Sequence, residues 1–172
     1  MKYERKWNDL RNATGFAAAC ARLALPFYGG ERRSGVVTAI EIAESYVNGE
    51  QISSTTARAG ARAAIYSAYA TDYAATDSTD ADSAYAAARA AACAARAATD
   101  FTAAAIYIAR AAIYASHAGV CDSELQIAFA RWVVRDLSCD QLDEQIRQAA
   151  GAAIVAGDEE LARKLVQGEI DV

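Results

Sequence analysis

A dense block of alanine between residues 57 and 118 restricts the fold of this chain more than any other sequence feature. Alanine fills 29 of these 62 positions, and five arginines balance five aspartates there. Alanine has the highest helix propensity of all residues, and its small side chain gains contact only where helices approach closely. We therefore expect tightly packed helices with an alanine-rich layer at the centre of the fold.

Small polar residues and glycines divide the chain into regular helical segments. Polar residues suited to capping precede most segments, and glycine follows several of them, as is typical of helix ends. No segment shows the apolar–polar alternation and β-branched enrichment of a strand. The sequence therefore predicts an all-α fold, a single compact bundle of seven to eight helices forming one domain over 1–172. Counting caps and stops, the expected segments are Asn8–Leu25, Ser34–Gly49, Ser53–Asp72, Asp77–Ala98, Thr99–Gly119, Asp122–Leu137, Asp140–Gly157 and Asp158–Gly168.

Large apolar side chains outside the alanine block are expected to anchor the core, because alanine itself buries little area. In the second segment, four residues share one helix face at helical spacing and are expected to point inward: Val36, Ile40, Ala43 and Val47. The other expected anchors come from both ends of the chain: Leu10, Phe16, Leu23, Phe27, Leu125, Ile127, Trp132, Val133 and Leu137.

The charge of the chain is concentrated in its C-terminal third. The net charge is −5, and residues 119–172 contribute five basic and eleven acidic side chains. This balance argues against general nucleic-acid binding, which needs a basic surface. No apolar stretch is long enough to span a membrane, and residues 1–6 do not resemble a secretion signal. We therefore expect a cytoplasmic protein. Acidic residues in the first turns of helices, such as Asp158 and Glu159, are expected to complement the helix dipoles.

Residues typical of metal or nucleophilic chemistry are few and scattered. The cysteines at 20, 93, 121 and 139 form no CxxC pair, and we expect them to behave as small hydrophobic residues. His117 is the single histidine of the chain. No combination of acid, base and nucleophile is recognisable, so the sequence predicts neither an enzyme nor a cofactor.

Arginine and tyrosine form a stripe on each of three successive alanine-rich helices when residues are placed at about 100° intervals. The remaining positions of these helices are mostly alanine, and Ile106, Ile108 and Ile113 are expected to lie away from the fifth-helix stripe. The stripes consist of Arg58, Arg62, Tyr66, Tyr69 and Tyr73 on the third helix, Tyr85, Arg89 and Arg96 on the fourth, and Tyr107, Arg110, Tyr114 and His117 on the fifth.

Two interpretations of the stripes stay open at the level of sequence. They could face solvent or a layer boundary, with arginine stems and tyrosine rings covering apolar surface. Alternatively, they could converge on a groove where guanidinium groups bind carboxylate or phosphate and tyrosine rings stack on a ligand or partner.

Short segments rich in alanine recur along the first two thirds of the chain: Ala19-Cys20-Ala21-Arg22-Leu23, then Val37-Thr38-Ala39-Ile40 through Gly49, and then Ala57-Arg58-Ala59, Ala61-Arg62-Ala63-Ala64, Ala88-Arg89-Ala90 and Ala95-Arg96-Ala97. Together they resemble the alanine-rich immunity protein family of bacterial polymorphic-toxin systems, whose members also occur in phage genomes. The resemblance covers roughly residues 8–118 and implies that the chain binds a toxin and has no catalytic residues. His117 alone could match the histidines that family members carry near the end of the alanine block.

Two functions follow as expectations. The first is a non-enzymatic binding protein that neutralises a toxin or effector by occlusion, with the acidic C-terminal helices suited to a basic partner. The second is a phage or bacterial protein that sequesters an anionic nucleotide signal in a pocket lined by the stripes. A homo-oligomer is also expected, because an alanine-rich face leaves surface that a second copy could bury.

Overall fold

The computed structural model of the chain describes residues 6–74, 78–100, 102–137 and 144–170, and side chains for all of these except 71–74 and 78–80. Within these ranges the chain is helical and contains no β-strand, which confirms the predicted all-α class. The eight helices are α1 (Leu10–Ala24, followed by a 3-10 turn at Leu25–Phe27), α2 (Arg33–Val47), α3 (Ser54–Ala74), α4 (Ser78–Ala97), α5 (Ala104–Ala118), α6 (Asp122–Leu137), α7 (Glu144–Ala156) and α8 (Glu159–Val166).

Helix ends follow local capping chemistry at several of the predicted positions. The Ser53 hydroxyl accepts a hydrogen bond from Thr56 N–H at the start of α3, and Asp158 accepts one from Leu161 N–H at the start of α8. Gly119 ends α5 with φ at 112°, a left-handed conformation that favours glycine. The prediction that Ser34 caps α2 is wrong, since α2 begins at Arg33 and its N-cap, Arg32, makes no capping bond through its side chain. The predicted start of α5 at Thr99 is wrong, because α5 begins at Ala104 and its N-cap, Ala103, makes no capping bond through its side chain. Predicted start Asp140 lies outside the described residues.

Helix α4 lies at the centre of the bundle and packs against α1, α2, α3 and α5. From Ala84 to Ala98 every residue is buried except Tyr85, Arg89 and Arg96. A helix surrounded by neighbours must be apolar around most of its circumference, and alanine lets those neighbours approach. The predicted alanine-rich centre is therefore confirmed, and one strip of α4 is left uncovered.

The C-terminal helices join the bundle where α6 packs against α1. The Phe16 and Phe129 rings meet edge to face, with centroids 5.1 Å apart, and Trp7 packs beside both. The buried Asp136 carboxylate accepts hydrogen bonds from the backbone N–H groups of Asn8 and Asp9, each at 2.9 Å. Helix α6 is thus tied to the N-terminal end of α1, and α7 and α8 pack against α6 and against each other.

Most of the expected anchors are buried or partly buried. Val36, Ile40 and Ala43 are fully buried, and Val47 is partly buried. Two anchors were predicted wrongly, because Phe27 is 42% exposed and Ile127 is 58% exposed. Phe27 lies in the turn after α1 and covers Gly119, and Ile127 lies on the side of α6 that faces away from α1.

Candidate functional site

The uncovered strip of α4 opens between α3 and α5 and carries Tyr85, Arg89 and Arg96, with Cys93 buried among them. The 100° helical periodicity puts these four residues on one side of α4, as the sequence predicted. The predicted stripes of α3 and α5 border this strip. We call the whole surface the Arg/Tyr face, made of Arg58, Arg62, Tyr66, Tyr69, Tyr85, Arg89, Arg96, Tyr107, Arg110, Tyr114 and His117.

One end of the Arg/Tyr face contains a cavity of about 540 Å³. It brings together residues from all three helices, so the stripes of α3, α4 and α5 converge here. The Arg96 guanidinium lies 5.5 Å from the centroid of the Tyr107 ring, in cation–π contact, which holds it at the cavity wall. We call this site the arginine cavity, lined by Ser54, Arg58, Arg62, Arg96, Thr99, Asp100, Thr102 and Tyr107.

The charge of the arginine cavity is positive. Among the described residues that line it, three guanidinium groups face one carboxylate, that of Asp100. The Asp100 carboxylate is engaged locally, since its Oδ1 accepts hydrogen bonds from the Thr102 hydroxyl at 2.9 Å and from Ala103 N–H at 3.2 Å. Over the described part of the chain, no carboxylate lies within 4.0 Å of the three guanidinium groups. The cavity is thus a region of uncompensated positive charge in a chain whose net charge is −5.

The other end of the Arg/Tyr face is an aromatic cluster built around Arg89. The Arg89 guanidinium donates a hydrogen bond to the Tyr114 hydroxyl at 3.3 Å and lies 5.3 Å and 5.8 Å from the Tyr114 and Tyr85 ring centroids. Desolvation lowers the pKa of Arg89, but the Tyr114 hydrogen bond and nearby electrostatic interactions outweigh it and raise this pKa overall. The Tyr69 ring extends the cluster toward α3, 6.3 Å from the Tyr85 ring.

Cys93 lies between the two ends of the face and is 6% exposed. Burial raises the pKa of its thiol to about 11, although the positive charges of Arg89, Arg96 and Arg110 oppose the shift. The thiol is therefore neutral near pH 7, which makes it a poor nucleophile. This agrees with the prediction that the cysteine acts as a small hydrophobic residue, and the same holds for buried Cys20, whereas Cys121 is exposed.

The remaining predicted site residues are more peripheral. Tyr66 is 62% exposed, and Arg110 and His117 are exposed on α5, where the His117 ring meets the edge of Tyr114. Of the three α5 isoleucines predicted to lie away from its stripe, Ile108 is buried, whereas Ile106 and Ile113 are 55% and 50% exposed.

A second cavity, of about 620 Å³, lies between α6 and α7 and contains none of the predicted site residues. Trp132, Ile127 and Val155 give it an apolar lining. One of its arginines has a carboxylate partner, because Arg147 lies 3.7 Å from Glu144. Among the described residues the arginines of the arginine cavity have none, so that cavity is the better candidate site for an anionic ligand.

Sequence reasoning missed four residues of the arginine cavity. All four lie at or just before helix starts, and the sequence explained Ser54, Thr99 and Asp100 as capping residues without relating them to the arginines. Their position one turn before Arg58, or within two turns after Arg96, was the signal that could have joined them to the site. They are Ser54, Thr99, Asp100 and Thr102.

The fold and the site define the chain as an all-α helical bundle with a cationic, tyrosine-lined opening over its central helix. No family model, no curated protein and no solved structure matches this chain. Among the described helices, none combines the length and the apolar character needed to cross a membrane.

Proposed function

We propose that this chain is a non-enzymatic binding protein that holds an anionic small molecule of the nucleotide class on its Arg/Tyr face. The observation that carries the proposal is the arginine cavity, where Arg58, Arg62 and Arg96 lack carboxylate partners among the described residues. Guanidinium groups recognise phosphate through paired hydrogen bonds, so three of them facing one cavity favour a phosphorylated ligand.

The surroundings of the cavity also support a small ligand. Its volume of about 540 Å³ lies within the ~300–1,000 Å³ typical of small-molecule sites. Ser54, Thr99 and Tyr107 add hydroxyl groups that can hydrogen-bond to a phosphate or a sugar. A face that served solubility alone would not need guanidinium groups from two helices at one cavity.

Isothermal titration calorimetry with linear and cyclic nucleotides tests this function. We expect micromolar binding by at least one nucleotide, and about ten-fold weaker binding after Arg62→Gln or Arg96→Gln, since a charge-assisted contact contributes roughly 1.5–3 kcal/mol. Arg32→Gln is the matched control, because Arg32 is an exposed arginine outside the cavity. Absence of nucleotide binding, or equal affinities for all three variants, would contradict the proposal.

A second candidate function is neutralisation of a protein toxin by occlusion, as the resemblance to immunity proteins implies. Four exposed side chains favour it. Tyr66 and Tyr69 belong to the Arg/Tyr face and Ile106 and Ile113 lie on α5, and all four are apolar or aromatic side chains of the kind found in interface cores. In this case the double variant Tyr66→Ala, Tyr69→Ala would lose protection against a toxin encoded beside this gene. Unchanged protection would show that this face does not bind the toxin.

The acidic C-terminal helices contribute to this second function only if their charge reaches a partner. In α8, Glu159 and Glu160 lie near Arg163 and Lys164, which offsets their charge locally. Deleting residues 119–172 would expose the aromatic packing of α6 on α1, so substitution is the cleaner test. If Glu159→Gln, Glu160→Gln leaves protection intact, the tail is not the binding surface.

The expected homo-oligomer stays a prediction, and light scattering on the purified protein measures it directly. The cytoplasmic location stays a prediction as well.

A further inference from the structure

We infer that the preferred ligand is a nucleoside 5′-diphosphate, with its terminal phosphate in the arginine cavity and its base stacked on Tyr69. This inference rests on the proposed small-molecule function and specifies the ligand of the same site.

The charge balance of the cavity favours a terminal phosphate over a diester. Among the described residues that line the cavity, three arginines and the single carboxylate of Asp100 give a formal charge of +2. A terminal phosphate monoester carries about −1.5 to −2 at pH 7, whereas a phosphodiester carries a single negative charge. A cyclic nucleotide would therefore leave one guanidinium charge uncompensated, and a terminal phosphate would neutralise the site.

The tyrosines of the Arg/Tyr face differ in how much of each ring is covered by neighbouring side chains. Arg96 covers Tyr107, and Arg89 lies against both Tyr85 and Tyr114. Tyr69 meets Tyr85 at a tilted angle of 59° and is still 46% exposed, so part of its ring is open to a ligand. Base stacking on such a ring tolerates different bases, because every base has a flat aromatic face.

The spacing along α3 fits a diphosphate. Arg62 and Tyr69 are seven residues apart, which is two helical turns and about 10 Å at ~1.5 Å per residue. Both residues lie on the same side of α3, because seven residues bring the helix back to nearly the same angle. The inner phosphate and the sugar of an extended nucleoside diphosphate would span this interval, across the α4 strip between Arg96 and Arg89.

Tyr66 offers a matched contrast to Tyr69. It lies on the same helix, one turn after Arg62, and is 62% exposed. Among the described residues it has no ring partner, and its angular position is farther from the α4 strip than that of Tyr69. We therefore assign stacking to Tyr69 and expect Tyr66 to contribute little to a small ligand.

Calorimetric titrations with unmodified protein test the phosphate assignment. The probes are ADP, GDP, CDP and UDP, the matching 3′,5′-cyclic monophosphates, and inorganic pyrophosphate. We expect the best diphosphate to bind at least ten-fold more tightly than its cyclic counterpart, and pyrophosphate to bind measurably on its own. A cyclic nucleotide that binds as tightly as its diphosphate overturns the inference while leaving the proposed function standing.

Tyrosine variants test the stacking assignment. Tyr69→Ala should weaken binding of the best nucleoside diphosphate about ten-fold, because alanine has no ring on which the base can stack. It should leave pyrophosphate affinity within two-fold, which also shows that the variant is folded. Tyr69→Phe should restore the nucleotide affinity, and Tyr66→Ala should not change it. Unchanged nucleotide affinity in Tyr69→Ala overturns the assignment, whereas failure of every phosphorylated probe to bind overturns the proposed function itself.

Discussion

The contact between Gly15 of α1 and Trp132 of α6 provides a direct test of how the C-terminal helices join the bundle. A methyl group added at Gly15 would lie closer than 3.0 Å to three atoms of the Trp132 indole ring, a distance that real Cβ atoms essentially never show. Because the indole is rigid and partly buried, either the ring or the helix must shift. Gly15→Ala is therefore expected to destabilise the packing of α6 on α1.

The expected change in the free energy of unfolding of Gly15→Ala is the sum of two opposing effects. Overpacking a well-packed site costs about 1–3 kcal/mol. Replacing glycine by alanine inside a helix contributes about 1 kcal/mol of stabilisation, because alanine has the higher helix propensity. Gly15→Ala should therefore be neutral to about 2 kcal/mol less stable than the wild type.

Gly151 of α7 is the matched control, because a Cβ atom built there meets nothing within 4 Å. Gly151→Ala should gain stability from the higher helix propensity of alanine and meet no steric clash. The difference in unfolding free energy between the two variants therefore isolates the steric cost of about 1–3 kcal/mol. Gly60→Ala should fall between them, since its added methyl group meets the end of the flexible Ile42 side chain.

Urea unfolding, followed by far-ultraviolet circular dichroism and by tryptophan fluorescence, measures these free energies. A steric cost of 2 kcal/mol corresponds to about 4–8 °C in melting temperature for a chain of this size. If Gly15→Ala is as stable as Gly151→Ala, then α6 does not pack on α1 through this contact, and the account of the C-terminal helices is wrong.

Three further outcomes are expected. Asp136→Ala should lower the free energy of unfolding by about 2–3 kcal/mol in urea titrations, because it removes the buried carboxylate that accepts hydrogen bonds from Asn8 N–H and Asp9 N–H. A loss below about 0.5 kcal/mol would refute the proposed link between α6 and α1. The fold raises the pKa of the Cys93 thiol from 9.0 to about 11, so the thiol ionises at lower pH in the unfolded chain than in the folded one. The stability that the neutral thiol contributes is therefore complete below pH 9 and is lost as the pH rises from 9 to 11. The difference in unfolding free energy between the wild type and Cys93→Ala should fall over that interval, and a flat difference would contradict this assignment. Iodoacetamide at pH 8, read by peptide mass spectrometry, should modify exposed Cys121 in the native protein and reach Cys20 and Cys93 only after unfolding. Rapid native labelling of Cys93 would contradict the burial of its side chain.

Local features of this fold could be predicted from the sequence because they depend on neighbours within a few positions. Ser53 and Asp158 cap the helices that follow them, and Gly119 ends α5, as their side chains and backbone freedom suggest. The N-cap of α2 was predicted at Ser34, two residues after the observed N-cap Arg32, because Ser34 looks like a cap but lies inside the helix.

The candidate site was predictable in composition and not in geometry. Helical periodicity alone puts Arg58 and Arg62 on one side of α3, and Tyr85, Arg89 and Arg96 on one side of α4. It carries no information on which helices are neighbours, or on which ring an arginine covers. The pairing of Arg96 with Tyr107 and the position of Asp100 in the cavity depend on how α3, α4 and α5 are arranged around each other.

The sequence by itself determined that this chain is helical, where most helices begin and end, and which faces carry arginine and tyrosine. These properties follow from propensity, capping and the 3.6-residue period, all of which act over a few residues. Only the tertiary structure decided that α4 is the central helix, that Phe27 and Ile127 are exposed, and that Asp136 binds the start of α1. The reason is that burial and long-range hydrogen bonds depend on which helices come together, and alanine-rich faces are too alike to specify their partners one by one.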